Sequence, residues 1–114
     1  MIIKKDQMST EVRYAMRGGP GEVTITHLAK KEEMNHARLM AIIDIPAGSG
    51  IGEHEHLNET EYYIILQGEA VVKDDGIDKK VTAGDMVVTG DGASHNITNT
   101  GSGPLKMIAL IILT

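Results

Sequence analysis

Short runs of alternating apolar and polar residues, separated by turn residues, extend along most of the chain. Residues 22–28 read EVTITHL, which has the two-residue period of a half-buried strand. Most of the other runs stop at glycine, at proline or at an Asp-Gly pair, which are turn signals. The runs are residues 22–28, 38–45, 62–66, 69–73, 86–89, 95–99 and 105–113, with one more beginning at Val81. About eight short strands at this spacing predict an all-β sandwich or barrel.

The amino-terminal segment has a different pattern. Residues 5–17 and 30–37 are the two candidates for short helices. Residues 1–20 run into Arg17-Gly-Gly-Pro-Gly21, which is a flexible joint. We therefore predict that residues 1–20 form an arm that packs on a partner, and that residues 21–114 form a single barrel domain.

The longest apolar run is Met107 to Leu113. It is far shorter than the roughly 20 residues that a bilayer-spanning helix needs, so it indicates a buried strand. If this strand were left bare at a sheet edge it would be prone to aggregate, and together with the arm it predicts a homodimer. The first ten residues do not resemble a signal peptide, and we predict a cytoplasmic protein without a membrane partner.

Composition narrows the choice of partner and chemistry. The formal net charge is −5 and the chain has three aromatic residues, so it lacks the cationic surface and the stacking platform that nucleic acids require. No nucleic-acid partner is therefore predicted. The chain has no cysteine, which excludes disulfides, thiolate metal ligands and cysteine nucleophiles.

Three histidines and a glutamate form the candidate metal site. In an extended His54-Glu55-His56 segment, both imidazoles lie on one face about 6.6 Å apart at the backbone, within reach of one ion. Glu61 follows across a short polar connection, so its carboxylate can face back over the pair. His95 would come from a distant strand, which is typical of a site built across a barrel interior.

The spacing of these residues resembles two motifs of the cupin family. The first runs from Gly48 through His54-x-His56 and Glu61 to Gly68. The second is a set of positions that begins at a glycine and ends at an asparagine: Gly84, Gly90, Gly92, His95 and Asn99. One position departs from the family pattern, because residue 90 is glycine where proline is expected, which affects turn rigidity and no ligand.

The resemblance implies a jelly-roll barrel that holds one divalent transition metal ion through His54, His56, Glu61 and His95. Four protein ligands leave coordination positions for water or substrate. Imidazole and carboxylate ligands suit several first-row ions, of which we favour manganese or iron, while nickel, cobalt and zinc remain alternatives.

Glu59 is the candidate catalytic residue, either as a second carboxylate that donates or accepts a proton or simply as a solvated turn residue. His27 and His36 are interpreted as structural. The candidate substrate-pocket residues are Tyr63, which alternation places on the inner face with Glu61, and two methionines, Met40 and Met86. Core filling is the alternative for all three.

Two functions of different classes follow. The first is a metal-dependent enzyme that acts on a small carboxylate by decarboxylation, oxygen insertion or isomerisation. The second is a binding module that captures a small molecule or metal ion without turnover. The sequence alone leaves both open.

Overall fold

The computed structural model describes residues 1–114 and contains ten strands and three short 3₁₀ turns. The strands are β1 (Ser9–Tyr14), β2 (Glu22–His27), β3 (Ala37–Ile45), β4 (Gly50–Glu55), β5 (Glu59–Gln67), β6 (Glu69–Asp74), β7 (Ile77–Thr82), β8 (Met86–Gly90), β9 (Ser94–Thr98) and β10 (Leu105–Leu113). The 3₁₀ turns are Lys5–Gln7, Met16–Gly18 and Lys31–Glu33. None of its helices has the length and apolar character needed to cross a membrane.

Two antiparallel sheets form the barrel. The six-stranded sheet has the order β1-β2-β3-β10-β5-β8, and the four-stranded sheet has the order β4-β9-β6-β7. Neighbours in these sheets are mostly distant in sequence, as in a jelly roll, and the predicted all-β fold is confirmed. The consequence for the site is that residues from β4, β5 and β9 meet between the layers.

The core lies between the sheets and is built by alternation. Fifteen buried apolar residues form one cluster, with contributions from both sheets. On β10, Met107 and Ala109 point into this cluster, whereas Ile108 and Leu110 point to the opposite face and are only half-buried. The inner face of the six-stranded sheet is therefore filled, and its outer face has no layer of the same chain above it.

The position of β10 corrects one expectation. This strand is hydrogen-bonded to β3 on one side and to β5 on the other, so it lies in the middle of its sheet. Met107–Leu113 is a buried strand, as predicted, and the bare edge that would have favoured a homodimer does not exist, because long-range pairing had no signature in the local pattern. The homodimer prediction loses this particular support.

The amino-terminal segment also differs from expectation. Residues 5–17 are not a helix, because Ser9–Tyr14 forms β1 and pairs with β2 from Ser9 opposite His27 to Tyr14 opposite Glu22. Val12 and the flanking threonine and tyrosine favour extended backbone. In the second candidate, only residues 31–33 form a 3₁₀ turn. The segment predicted as an arm thus contributes an edge strand to the six-stranded sheet.

Two of the three glycines that precede His54 lie within β4. Gly48 does occupy a turn, with φ of 79°, but Gly50 and Gly52 are strand residues against which other backbone packs closely. A Cβ added at Gly52 would lie 2.0 Å from the carbonyl oxygen of Arg17. Glycine at position 52 therefore lets the Met16–Gly18 turn pack directly on the strand that carries His54.

Candidate metal centre

A register shift in β4 turns the first two candidate ligands inward. Ile51 is buried and pairs with Ile97 of β9, and a bulge separates this pair from the next, His54 opposite His95. Simple alternation from Ile51 would place residues 53 and 55 inside the barrel. The bulge reverses the alternation, so His54 and His56 point inward.

Glu61 and His95 reach the same point from two other strands. Glu61 lies on β5, on the inner face that it shares with Tyr63 and Ile65, and is 4% exposed. His95 lies on β9 and is fully buried. Three strands of the barrel therefore contribute to one cluster that is closed to bulk water on most sides.

The four side chains converge on a common centre. The Nε2 atom of His95 lies 3.1 Å from Nε2 of His54 and 3.1 Å from Nε2 of His56. Oε1 of Glu61 lies 3.0 Å from Nε2 of His95, 2.9 Å from Nε2 of His56 and 3.7 Å from Nε2 of His54. One ligand atom from each residue thus lies within 4.8 Å of the others.

Hydrogen bonds on the far side of each ring orient the imidazoles. Nδ1 of His54 donates to the carbonyl oxygen of Gly52 at 2.7 Å, and Nδ1 of His56 donates to the carboxylate of Glu59 at 2.6 Å. Because these oxygens only accept, Nδ1 carries the proton and the lone pair of Nε2 points into the centre. Nδ1 of His95 lies 2.8 Å from the hydroxyl of Thr89, which can accept in the same way.

These residues fit a divalent ion. Three imidazole lone pairs and one carboxylate that lie within 4.8 Å of one another repel unless positive charge lies between them. Ligand atoms at right angles and about 2.1 Å from one ion are about 3.0 Å apart, and four of the ligand-atom pairs here lie 2.9–3.1 Å apart. The outer hydrogen bonds are those expected around metal-binding histidines.

The electrostatics of the cluster also favour a cation. Burial alone would raise the pKa of Glu61, but its contacts with the three histidines outweigh burial and hold the pKa well below its ordinary value. The contact with Glu61 raises the pKa of His56, whereas burial lowers the pKa of His95. Burial, reinforced by the charge of Glu61, raises the pKa of Tyr63 well above its ordinary value, so the phenol is neutral.

A cavity of about 110 Å³ adjoins the cluster. His54, His56, Glu61 and Tyr63 form its floor, and apolar side chains from both sheets form much of its wall. Three arginines, Arg13, Arg17 and Arg38, also line it, together with His27. The centre therefore faces a small chamber with positive charge around it.

The other candidates lie in different places. Tyr63 lines the cavity, and its ring stacks on that of His95 with centroids 4.7 Å apart. Met86 is exposed on the outer face of β8, and Met40 is half-buried on the outer face of β3. Neither methionine lines the cavity, because alternation turns both of them away from the barrel interior.

Glu59 is neither a solvated turn residue nor a wall of the cavity. It begins β5, its side chain is 12% exposed, and it accepts two hydrogen bonds from Arg38, both at 2.7 Å, besides the one from His56. The hydrogen bond from Arg38 lowers the pKa of Glu59 to about 2. The carboxylate therefore orients a candidate ligand, and it is not available to carry a proton in a reaction.

Neither structural histidine is in the cluster. His27 lies on β2 with Nε2 3.4 Å from Oε2 of Glu11, and it lines the cavity. His36 has φ of 58°, in a turn, and its carbonyl oxygen accepts from the amide of Leu113.

Sequence reasoning missed Thr89 and the three arginines of the cavity. The signal for Thr89 was its place on the inner side of β8, two residues after buried Val87, where a hydroxyl needs a partner. The arginines had no local signal, since Arg13 and Arg17 reach the cavity only because β1 pairs with β2 and the following turn packs on β4.

The chain belongs to the cupin family. The cupin domain model matches residues 41–111, and this range includes every fixed position of both ligand-bearing motifs. A relative is the oxalate-binding protein of Thermotoga maritima, which is 46% identical over 114 residues that cover 99% of this chain and 94% of that protein. The family suggested by the spacing of the histidines and glycines is thus confirmed.

Solved structures agree with this assignment. The crystal structure of a predicted oxalate decarboxylase from Thermotoga maritima superimposes with a TM-score of 0.94 and 45% identity, and 100% of both chains is covered. A sugar phosphate isomerase of the cupin superfamily from Silicibacter pomeroyi has a TM-score of 0.77 at 17% identity, over 100% of this chain and 76% of that one. The second similarity shows the fold alone.

Proposed function

We propose that this chain binds one divalent transition metal ion through His54, His56, Glu61 and His95 and captures a small carboxylate in the adjoining cavity. The observation that carries the proposal is the convergence of three imidazole lone pairs and one buried carboxylate on a point that faces a cavity lined by arginines. Manganese or iron is our first choice of metal, with nickel, cobalt or zinc as alternatives. A bound ion would supply Lewis-acid polarisation of a ligand oxygen.

The charges around the cavity favour a dianion. Arg13 is paired with Glu11 at 2.5 Å, and Arg38 is paired with Glu59, so two of the three arginines are neutralised within the chain. Arg17 takes part in no salt bridge and in no side-chain hydrogen bond, and its charge is free to meet a ligand. With a divalent ion bound to Glu61, two positive charges remain uncompensated, which is the number that a dicarboxylate neutralises.

The backbone of Arg17 supports a role in binding. Its φ of 54° lies in the left-handed region, which a non-glycine residue seldom adopts and which stores roughly 1–3 kcal/mol of strain. The strain is maintained because the Met16–Gly18 turn packs on Gly52 of β4. The turn thus holds a guanidinium over the cavity, where its fork geometry suits a carboxylate.

The size of the cavity favours a very small ligand. The cavity has a volume of about 110 Å³, which suits a small ligand that coordinates the ion directly. Because the Thermotoga relative is named as an oxalate-binding protein, oxalate is the first ligand to test.

Calorimetric titration of the metal-loaded protein with oxalate tests the proposal, with metal content measured by elemental analysis. We expect one metal ion per chain and oxalate binding that Arg17→Gln weakens by about 10- to 100-fold, since a charge-assisted hydrogen bond contributes roughly 1.5–3 kcal/mol. Arg13→Gln is the matched control and should change the affinity less than about threefold.

The neutral isostere oxamide provides a second control, because it has the shape of oxalate without its charge. We expect no detectable binding of oxamide. A protein that takes up no metal, a metal-loaded protein that binds no carboxylate, or equal effects of Arg17→Gln and Arg13→Gln would contradict the proposal.

Turnover of the captured carboxylate is the second candidate function. It is favoured by the position of the cluster at the floor of the cavity, which lets a ligand reach coordination positions that four protein ligands leave open. Tyr63 is a protic side chain that lines the cavity, whereas Glu59 is held by Arg38 and His56. Decarboxylase, dioxygenase and isomerase chemistry all remain within this candidate.

A panel of small carboxylates, scored for CO2 release and O2 uptake, separates capture from turnover. A metal-dependent enzyme would show turnover that is lost in His54→Ala and His95→Ala variants. Ligand binding without turnover across the panel would leave capture as the function.

A further inference from the structure

Two carboxylates pair with arginines of the cavity wall, and the two pairs are built differently. Glu59 accepts two hydrogen bonds from Arg38 and a third from His56, and its side chain is 12% exposed. The side chain of Glu11 is 41% exposed and accepts one hydrogen bond from Arg13, through Nε. An exposed ion pair of this kind is weak, because water competes for both groups. The carboxylate of Glu11 can therefore be displaced, whereas that of Glu59 is held in place.

Glu11 also contacts a second group of the cavity wall. Its Oε1 atom accepts from Nε of Arg13 at 2.5 Å, and its Oε2 atom lies 3.4 Å from Nε2 of His27. Arg13 and His27 both line the cavity, and Glu11 lies outside the lining. A guanidinium and an imidazole at one end of the cavity are thus already occupied by a carboxylate of the chain itself.

The strand pairing directs these groups to the interior of the barrel. Glu11 and Arg13 lie two residues apart on β1, opposite Ile25 and Val23 of β2, and both of these β2 residues are buried in the core. Because alternate residues of a strand share one face, Glu11 and Arg13 lie over the inner face of the sheet. Their contact with a cavity residue follows from the register of the sheet.

The occupied groups lie far from the candidate metal ligands. In the six-stranded sheet, β3 and β10 lie between β2, which carries His27, and β5, which carries Glu61. Three strand spacings separate the two backbones by about 14 Å. The side chains of His27 and Glu61 reach into the same cavity from its two sides.

This arrangement distinguishes dicarboxylates by length. A two-carbon dicarboxylate can coordinate an ion at the Glu61 end with both of its carboxylates, so it has no group left for the other end of the cavity. A longer dicarboxylate that coordinates through one carboxylate directs the second towards Arg13 and His27. At that end it meets the carboxylate of Glu11 and must displace it.

The charge of Glu11 strengthens this discrimination. The hydrogen bond from Arg13 holds the pKa of Glu11 below its ordinary value, so the carboxylate is ionised at neutral pH. An ionised carboxylate repels a second carboxylate that approaches the same donors. Glu11 contacts none of the four candidate metal ligands, so its effect is confined to this end of the cavity.

We propose that Glu11 is a specificity-determining residue: it occupies a second carboxylate subsite, formed by Arg13 and His27, and so restricts the cavity to the shortest dicarboxylates. This inference rests on the proposed function, since it requires that one ligand carboxylate binds at the metal centre. Removal of the charge of Glu11 opens the subsite to longer dicarboxylates.

Calorimetric titration of the metal-loaded protein with oxalate and with succinate tests the proposal. The wild-type protein should bind oxalate at least about 10-fold more tightly than succinate. Glu11→Gln should raise the affinity for succinate by about 5- to 10-fold, because a freed guanidinium donates a charge-assisted hydrogen bond to the second carboxylate. Its affinity for oxalate should rise by less than about threefold, through reduced repulsion alone.

Two further variants separate this effect from a change in net charge or in folding. Glu69→Gln removes the same charge from an exposed position on β6 of the four-stranded sheet, and it should change neither affinity. The double variant Glu11→Gln/Arg13→Gln should bind succinate within about threefold of the wild type, because the freed donor is gone. Circular dichroism and metal content should match the wild type in each variant.

The outcomes distinguish this inference from the proposed function. If the wild type binds oxalate but Glu11→Gln gains no more for succinate than Glu69→Gln does, the subsite is disproved and metal-dependent capture stands. A loss of both ligands in a folded Glu11→Gln variant would show a merely structural role, and a wild type that binds succinate as tightly as oxalate would also overturn the inference. A metal-loaded wild type that binds neither ligand would overturn both proposals.

Discussion

The two faces of the six-stranded sheet use nearly the same residues and have different surroundings. On β10, Ala109 and Ile111 point inward and are at most 3% exposed, whereas Ile108 and Ile112 point outward and stay half-buried. The inner face is covered by the four-stranded sheet of the same chain, but nothing in the chain covers the outer one. Residue type therefore does not decide which side of this sheet is core.

The polar residues of the two faces differ in a second way. On the inner face, Glu61 and Thr89 are buried and paired with histidines. On the outer face, Thr10 and Thr26 pair with each other and remain close to water. The same residue types thus serve a metal centre on one side of the sheet and solubility on the other.

The largest expected effect compares neighbouring isoleucines of β3. Ile43 is 2% exposed in the core, and Ile42 is half-buried on the outer face. Ile43→Ala should lower the free energy of unfolding by about 2–5 kcal/mol, because it leaves a cavity between the sheets. Ile42→Ala should lower it by roughly 1 kcal/mol in dilute protein. Urea unfolding with equal m-values measures both. Equal losses would show that the outer face is as well packed as the core.

The next effect concerns the four-stranded sheet, which covers the inner face, at the point where the Met16–Gly18 turn packs on β4. Gly52→Ala should lower the free energy of unfolding by about 1–3 kcal/mol, because the new methyl group collides with the carbonyl oxygen of Arg17. It should also weaken oxalate binding, since Arg17 is displaced. Gly103→Ala is the control, because its added Cβ meets no atom within 4 Å. Thermal unfolding and calorimetric titration provide the readouts, and a neutral Gly52→Ala would remove the proposed role of the turn.

A smaller effect compares two threonines. Thr89→Val should weaken metal binding by about 10- to 100-fold, because His95 loses the hydroxyl that orients its ring. Thr26→Val, on the outer face, removes only the contact with Thr10 and should leave metal affinity unchanged. Competition with a chelator of known affinity measures the difference. If the two variants retained the same affinity, the hydroxyl of Thr89 would have no part in the site.

The smallest effect concerns the rim of the outer face. Lys106 and Asp44 lie 3.5 Å apart and are both about two-fifths exposed, so solvent screens their attraction. Lys106→Ala should change the free energy of unfolding by less than about 1 kcal/mol, and the change should shrink further at high salt. Denaturant unfolding at two salt concentrations checks this. A larger loss that persisted in high salt would mean that the rim is buried.

Much of the strand pattern was predictable because short alternating runs express burial directly. β2, β3, β6, β8, β9 and β10 begin and end within about one residue of the predicted runs. β1 was missed because its inward positions carry Glu11 and Arg13, which lie over the cavity mouth and not over the core. Alternation of apolar and polar residues does not predict a strand whose inward side chains line the opening of a cavity.

The four candidate ligands were accessible from the sequence because their spacing matches two family motifs. The supporting residues were not, because they act through pairing partners far along the chain. Arg38 and Glu59 show this well: they are 21 residues apart, and their ion pair orients His56 only once β3 and β5 lie on the two sides of β10.

The sequence by itself determined that this chain is an all-β cupin and which four side chains belong together. Only the tertiary structure decided which way those side chains point. Alternation specifies sides only along an unbroken strand, and the bulge between Ile51 and His54 exists because β4 pairs with β9. Without that bulge, residues 53 and 55 would face the barrel interior, and the histidines would face water.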